Sequence, residues 1–194
     1  MRLADAETLP IRFDGFVRAV SGYVDELAKM TDKMRTDTEG RNKMLADHTL
    51  ELASDPKEPF VAPAPKAAVP YLNFAPLQNA VAQLKKSATA FKEQEKKTTG
   101  TLTLETRKEL DQILIQCDRA LIRDAGLPRR PWYKHQIYAP GYYTGYGVKT
   151  IPGVREAIEE RDWDEAEAQI PIAAQTLVAM AFQIDKATAL LASQ

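Results

Sequence analysis

The chain carries few residues able to do chemistry, and their spacing fits no catalytic constellation. It has two histidines, His48 and His135, and a single cysteine, Cys117. Neither histidine belongs to an HExxH run or stands beside carboxylates at a spacing that would hold a metal. His135, in YKHQIY, reads as a structural hydrogen-bonding residue, and His48, in a polar helical stretch, reads as solvated. Cys117 falls among Ile113, Leu114, Ala120 and Leu121 at helical spacing, the setting of a buried, inert thiol. Being alone it forms no internal disulfide, so cysteine usage leaves the redox compartment open. The run GYYTGYG has glycines but no lysine-serine ending and no strand before it, which argues against a phosphate cradle. There is no GxSxG, and the serines are scattered. Glu156, Glu159, Glu160, Asp162, Asp164, Glu165 and Glu167 suggest paired-carboxylate or calcium chemistry. They straddle a helix start, however, where acids meet the positive end of the helix dipole, and that plainer reading is preferred.

What remains is an aromatic loop. From Leu127 to Gly153 the sequence is punctuated by glycine and proline, and Trp132, Tyr133, Tyr138, Tyr142, Tyr143 and Tyr146 crowd into it. A connection this long without secondary structure is uncommon in a compact domain and is usually functional or disordered. Its rigid tyrosines argue against disorder, which is poor in aromatics.

The elements that must hold this loop are helices. Asp14 is a plausible cap for an amphipathic helix with Phe16, Val17, Val20, Tyr23, Val24, Leu27, Met30 and Met34 on one face, reaching about Thr36. Around Gly40 the pattern weakens and then resumes to about Ser54, so a break and a continuous helix are both open. Asp55 to Pro70 is alanine- and proline-rich and reads as an extended surface crossover. Asn73 and Pro76 open the next helix, which stops near Gly100. Thr103 opens another, with Gly126 and Pro128 as its stop. Pro152 and Gly153 start a short helix, and Asp162 caps the last, from Trp163 to about Leu191. That last helix is apolar nearly all round and must be covered on more than one side. Pro171 lies inside it. With no repeat or convincing strand pair, the fold class is all-α: a four-helix-bundle-like domain with a long crossover and a long aromatic loop before the last helices.

At 194 residues one core is the default. The 26 basic and 27 acidic side chains nearly cancel and form no block suited to nucleic acid or a membrane surface. No apolar run approaches the roughly 20 residues of a bilayer span, and MRLADAETLPIRF lacks the features of a signal peptide.

The loop and its ends resemble the carboxy-terminal helical domain of the transferrin receptor and glutamate carboxypeptidase II (prostate-specific membrane antigen) family. The matching residues are Gly126, Leu127, Pro128, Arg130, Pro131, Tyr133, His135, Ile137, Tyr138, Ala139, Pro140, Tyr146, Pro152 and Gly153. RLADAETLP also resembles the end of that family's peptidase domain, which makes residues 1–10 its tail. Residues 11–194 would then be the dimerisation domain, carrying an insertion around 35–70. The resemblance implies a parent that is a zinc-dependent exopeptidase, carboxypeptidase or aminopeptidase, with peptidase and protease-associated domains upstream. Zinc ligands and the catalytic glutamate would lie there, leaving no catalytic or metal residue in this chain. It further implies a homodimer, with Leu177, Met180, Ala181 and Ile184 of the last helix as interface candidates. The loop would complete the wall of the peptide-substrate pocket through Tyr142, Tyr143, Gly145 and Tyr146. In glutamate-specific members a lysine and a tyrosine of this loop hold the terminal glutamate; here the tyrosine matches Tyr146, but the lysine position reads Gly145. The resemblance therefore leaves a preference for terminal glutamate open. Two alternatives stand beside this: a catalytically inactive, transferrin-receptor-like relative whose helical domain binds a protein, and a free-standing aromatic-lined binding module. Export of the parent to the periplasm or exterior is left open.

Overall fold

The computed structural model describes residues 8–55, 57, 60–98 and 102–194. Residues 1–7 of the expected peptidase-domain tail, and the helix stop near Gly100, lie outside the described residues. Among those described the protein is a helical domain with one small two-stranded sheet.

The first helix, α1 (Phe13–Ala46), runs unbroken through Gly40 and buries Phe13, Val17, Val20, Val24, Leu27, Thr31 and Thr38 along one face. Asp14 does not cap it. Arg12 holds the cap position without a side-chain bond, and Asp14, in the first turn, reaches Lys92 at 2.5 Å instead. The helix ends where His48 turns left-handed, φ 56°, before a single further turn, α2 (Thr49–Leu52). The chain then returns as an extended segment along α1. Extended, proline-rich backbone has no internal hydrogen bonds, so helix side chains supply them. Asn42 donates to the Lys66 carbonyl at 2.7 Å and accepts the Lys66 N–H at 3.0 Å. Arg35 donates to the carbonyls of Val69 and Pro70, and Arg161 to that of Ala67.

The next helix, α3 (Ala75–Lys97), begins where Asn73 Oδ1 accepts the Ala75 N–H at 3.0 Å, with Pro76 in the first turn. Thr103 caps α4 (Leu104–Arg119) by accepting the Thr106 N–H at 3.1 Å. This helix stops at Arg119, earlier than Gly126 and Pro128 suggested. Gly126 serves a separate turn at φ +67°, where a Cβ would sit 2.2 Å from the Pro131 carbonyl oxygen. Two three-residue strands follow, β1 (Tyr138–Pro140) and β2 (Val148–Thr150), antiparallel with Ala139 opposite Lys149. Neither was expected, since three residues are too few to display a two-residue period. They are joined to α5 (Pro152–Glu160) and then α6 (Trp163–Ala192), which Asp162 caps through the Glu165 N–H at 3.0 Å. Helix α6 continues through Pro171, whose ring faces solvent.

Helix α6 is the centre of the domain and packs against α3, α4 and α5, while α1 lies along α3. The core joins Leu27, Leu77, Leu84, Leu114, Ile158 and Leu177, with Phe13 edge-on to Phe91 at 5.4 Å. The four residues expected at a dimer interface need correction. Leu177, Ala181 and Ile184 are fully buried and Met180 nearly so, all within one chain. The cover that an all-round apolar helix requires comes from α3, α4 and α5, so these side chains are closed to a second copy.

Candidate functional site

The aromatic loop is a built structure. The short strands form its neck, and Gly141 to Gly147 form a tip that closes on itself. Gly141 N–H donates to the Gly147 carbonyl at 2.7 Å, Gly145 N–H to the Gly141 carbonyl at 3.0 Å, and Tyr146 N–H to the Thr144 carbonyl at 2.7 Å. Two glycines ease this path. A Cβ on Gly141 would lie 2.1 Å from Thr144 Oγ1, and Gly145 sits at φ +64°. Ile151, at the exit, is the unusual residue: β-branched, fully buried and at φ 47°. Such a conformation costs on the order of 1–3 kcal/mol and persists only when its surroundings over-determine it. Here the Ile151 N–H is tied to the Ile137 carbonyl at 2.9 Å and its own carbonyl receives Val154 and Arg155.

This frame sets the tip's side chains in different environments. Tyr146 is fully exposed, Tyr143 is 74% exposed, and Tyr142 is partly covered. The Tyr142 ring meets Tyr143 edge-on at 4.8 Å and has the guanidinium groups of Arg129 and Arg130 at 5.6 and 5.8 Å. Gly145 adds only backbone. The four expected wall residues thus sit together on one tip.

Beneath the tip the cations are engaged. Lys149 meets both oxygens of Glu159 at 2.8 and 2.7 Å, Arg129 reaches Glu165 at 2.9 Å and Glu160 at 3.7 Å, and Arg155 reaches Glu26 at 2.9 Å. Arg130 is buried against Glu156, Nη2 to Oε2 at 2.5 Å. The other oxygen of Glu156 accepts the Tyr142 N–H at 2.7 Å, and Arg130 Nη1 donates to the Pro140 carbonyl. The acids that read as a dipole-favoured helix start therefore include four partners for the loop's cations. Glu156 and Arg130 lie 26 positions apart, and no local periodicity links them.

The candidates for chemistry resolve into structural roles. His135 Nδ1 accepts the N–H groups of Ile137 at 3.2 Å and Tyr138 at 3.1 Å, which places the ring proton on Nε2. Burial pulls its pKa down, against a weaker opposing effect of Asp118. The Tyr138 hydroxyl lies 3.4 Å from that of Tyr23, and burial together with this neighbour pushes the phenol up to about 12. Burial raises Cys117 to about 11, so the thiol stays protonated at neutral pH. His48 is exposed beside Glu51 at 3.2 Å. Among the described residues no three His, Cys, Asp or Glu side chains gather to hold a metal ion.

A second exposed feature lies on the outside of α6. Val178 and Phe182 are 38% and 56% exposed, and Lys186 Nζ stands 4.6 Å from the Phe182 ring centre. Lys186 also lines an open groove of about 610 Å³ with Ile113, Ile115, Gln116 and Arg119 of α4 and Gln183. Among the described residues no helix is long and apolar enough to cross a membrane.

Comparison with known proteins agrees with this architecture. Residues 72–185 match the family model of the transferrin receptor-like dimerisation domain. A protein of Arabidopsis thaliana named probable glutamate carboxypeptidase LAMP1 is 26% identical over 177 residues, covering 88% of this chain and 20% of that protein. A probable glutamate carboxypeptidase of Arthroderma benhamiae is 34% identical over 91 residues, covering 46% of this chain and 12% of its own length. The chain thus spans about a fifth or less of these relatives. With the matched segment running from just past the crossover through α3, the aromatic loop and most of α6, this chain belongs to the transferrin receptor-like dimerisation domain family.

Proposed function

We propose that the chain is the dimerising and pocket-completing domain of a glutamate-carboxypeptidase-like zinc exopeptidase, with no catalytic activity of its own. The observation carrying this is the tip from Gly141 to Gly147: its backbone is locked from below while Tyr146 stands fully exposed and Tyr143, resting edge-on against Tyr142, keeps 74% of its surface in solvent. Rigid exposed aromatics bind at low entropic cost, because little freedom remains to be lost. Such a tip is suited to form one wall of a cleft whose remainder, with the zinc ligands and catalytic glutamate, belongs to a neighbouring peptidase domain. Residues 1–10 would be the last stretch of that domain, and 35–70 an insertion that lengthens α1 and its return. Gly145 offers no charge, and Lys149 is neutralised by Glu159, so this wall supplies no free ammonium to a terminal glutamate.

Self-association would use the exposed strip of α6, Val178 and Phe182, with Ile115 of α4, in place of the buried side chains named from sequence. The test of the pocket role is peptide hydrolysis by the intact parent. Tyr146→Ala should raise KM several-fold while the isolated chain cleaves nothing; unchanged kinetics in that variant, or hydrolysis by this chain alone, would refute the reading.

A further inference from the structure

The pair beneath the tip has a geometry that stability alone does not explain. Arg130 and Glu156 side chains are 3% and 7% exposed. A buried ion pair is often no more stabilising than apolar residues of the same volume, because desolvating two charges offsets their attraction. What apolar residues would not supply are the two hydrogen bonds that leave this pair. One goes from Arg130 to the Pro140 carbonyl and the other from the Tyr142 N–H to Glu156. These two backbone groups flank Gly141, the first residue of the tip. Among the described residues Arg130 Nε meets no hydrogen-bond partner, so Pro140 and Glu156 fix the orientation of the guanidinium. The Tyr133 ring, 5.6 Å away, and the Tyr142 ring lie against it.

We infer that Arg130 and Glu156 are positioning residues, a buried clamp on residues 140 and 142 that sets where Tyr142, Tyr143 and Tyr146 stand. The clamp is a property of this chain; only its consequence for a substrate rests on the pocket role proposed above. A lysine at position 130 would keep the charge but lose the planar fork that serves two acceptors at once. A glutamine at 156 would keep the shape but offer one oxygen to two donors.

Residue-resolved amide exchange on the chain separates positioning from general stability. Glu156→Gln should speed exchange at Tyr142 and Gly145 about tenfold or more relative to core amides of α3. Ile184→Val, which weakens the core far along α6, should speed the α3 core amides and leave Tyr142 and Gly145 no faster relative to them. The exchanged pair Arg130→Glu with Glu156→Arg restores opposite charges, but its new carboxylate has no proton for the Pro140 carbonyl and its new guanidinium accepts nothing from Tyr142. Tip protection should therefore stay lost; should the exchanged pair not fold, Arg130→Lys gives the same comparison with an expected partial loss. An unchanged ratio in Glu156→Gln, or wild-type protection in the exchanged pair, overturns the clamp. In the intact parent, Glu156→Gln should raise KM with little change in kcat. Loosened exchange with unchanged kinetics in both Glu156→Gln and Tyr146→Ala would sustain the clamp and remove the pocket role. Altered kinetics in Tyr146→Ala with an unmoved exchange ratio in Glu156→Gln would do the reverse.

Discussion

Leu177→Ala tests whether folding and assembly are separate in this domain. Leu177 is fully buried on α6 inside a single chain, so its truncation should open a cavity in each protomer. Core leucine-to-alanine changes cost about 2–5 kcal/mol, and about 3 is a reasonable centre. A domain of this size loses about 2–4 °C of melting temperature per kcal/mol, which gives a drop of roughly 6–12 °C. Circular dichroism melts at two protein concentrations, with sedimentation on the same samples, give the readout. The drop should appear at both concentrations and the association constant should hold. Phe182→Asp should do the opposite, leaving the melt of the dilute protein nearly unchanged while weakening association about tenfold or more. A Leu177→Ala variant that melts within about 1 °C of the parent chain yet dissociates would refute the burial of α6 within its own copy.

Other outcomes follow from particular residues. Neutral His135 accepts two backbone N–H groups, and its pKa lies below the ordinary 6.5. The unfolded chain therefore takes up the proton first: this contribution is complete above pH 6.5 and is lost as pH falls through the folded-state value. Denaturant unfolding from about pH 7.5 to about pH 5.5, one unit either side of the ordinary histidine value, should show a decline that His135→Asn flattens. Gly126→Ala should cost more than about 2 kcal/mol in a urea melt, combining a left-handed backbone with overlap on Pro131. Gly15→Ala and Gly22→Ala should each stabilise by about 0.5–1 kcal/mol in the same assay, because both are helical and a Cβ on either meets nothing within 4 Å. Tyr146→Ala should leave the stability of the chain within about 0.5 kcal/mol, its side chain being fully exposed.

Helix stripes and caps were legible because both are local. Thr103 and Asp162 cap as their positions suggested, and the faces of α1, α3 and α4 point where the three-to-four spacing puts them. The excess apolar surface of α6 was also visible, but periodicity counts apolar residues without saying which neighbour covers them. That is why Leu177, Met180, Ala181 and Ile184 read as an interface. The aromatic loop could be found as a place from its composition and as a family feature from the order of its residues. Its two-stranded neck and the Arg130–Glu156 contact could not, because strands of three residues leave no pattern and the contact joins segments separated by the whole tip.

The outer part of α1 and its return past Lys66 are held to each other by Asn42 and Arg35, and to the rest of the molecule by Arg161, which donates to the Ala67 carbonyl and to Thr38 Oγ1. Little apolar surface depends on them, and lengthening a flexible connection costs only about 0.6 kcal/mol per doubling. Evolution is therefore free to treat this outrigger as an adjustable boom, extending or trimming its reach toward a neighbour without renegotiating the bundle that carries it.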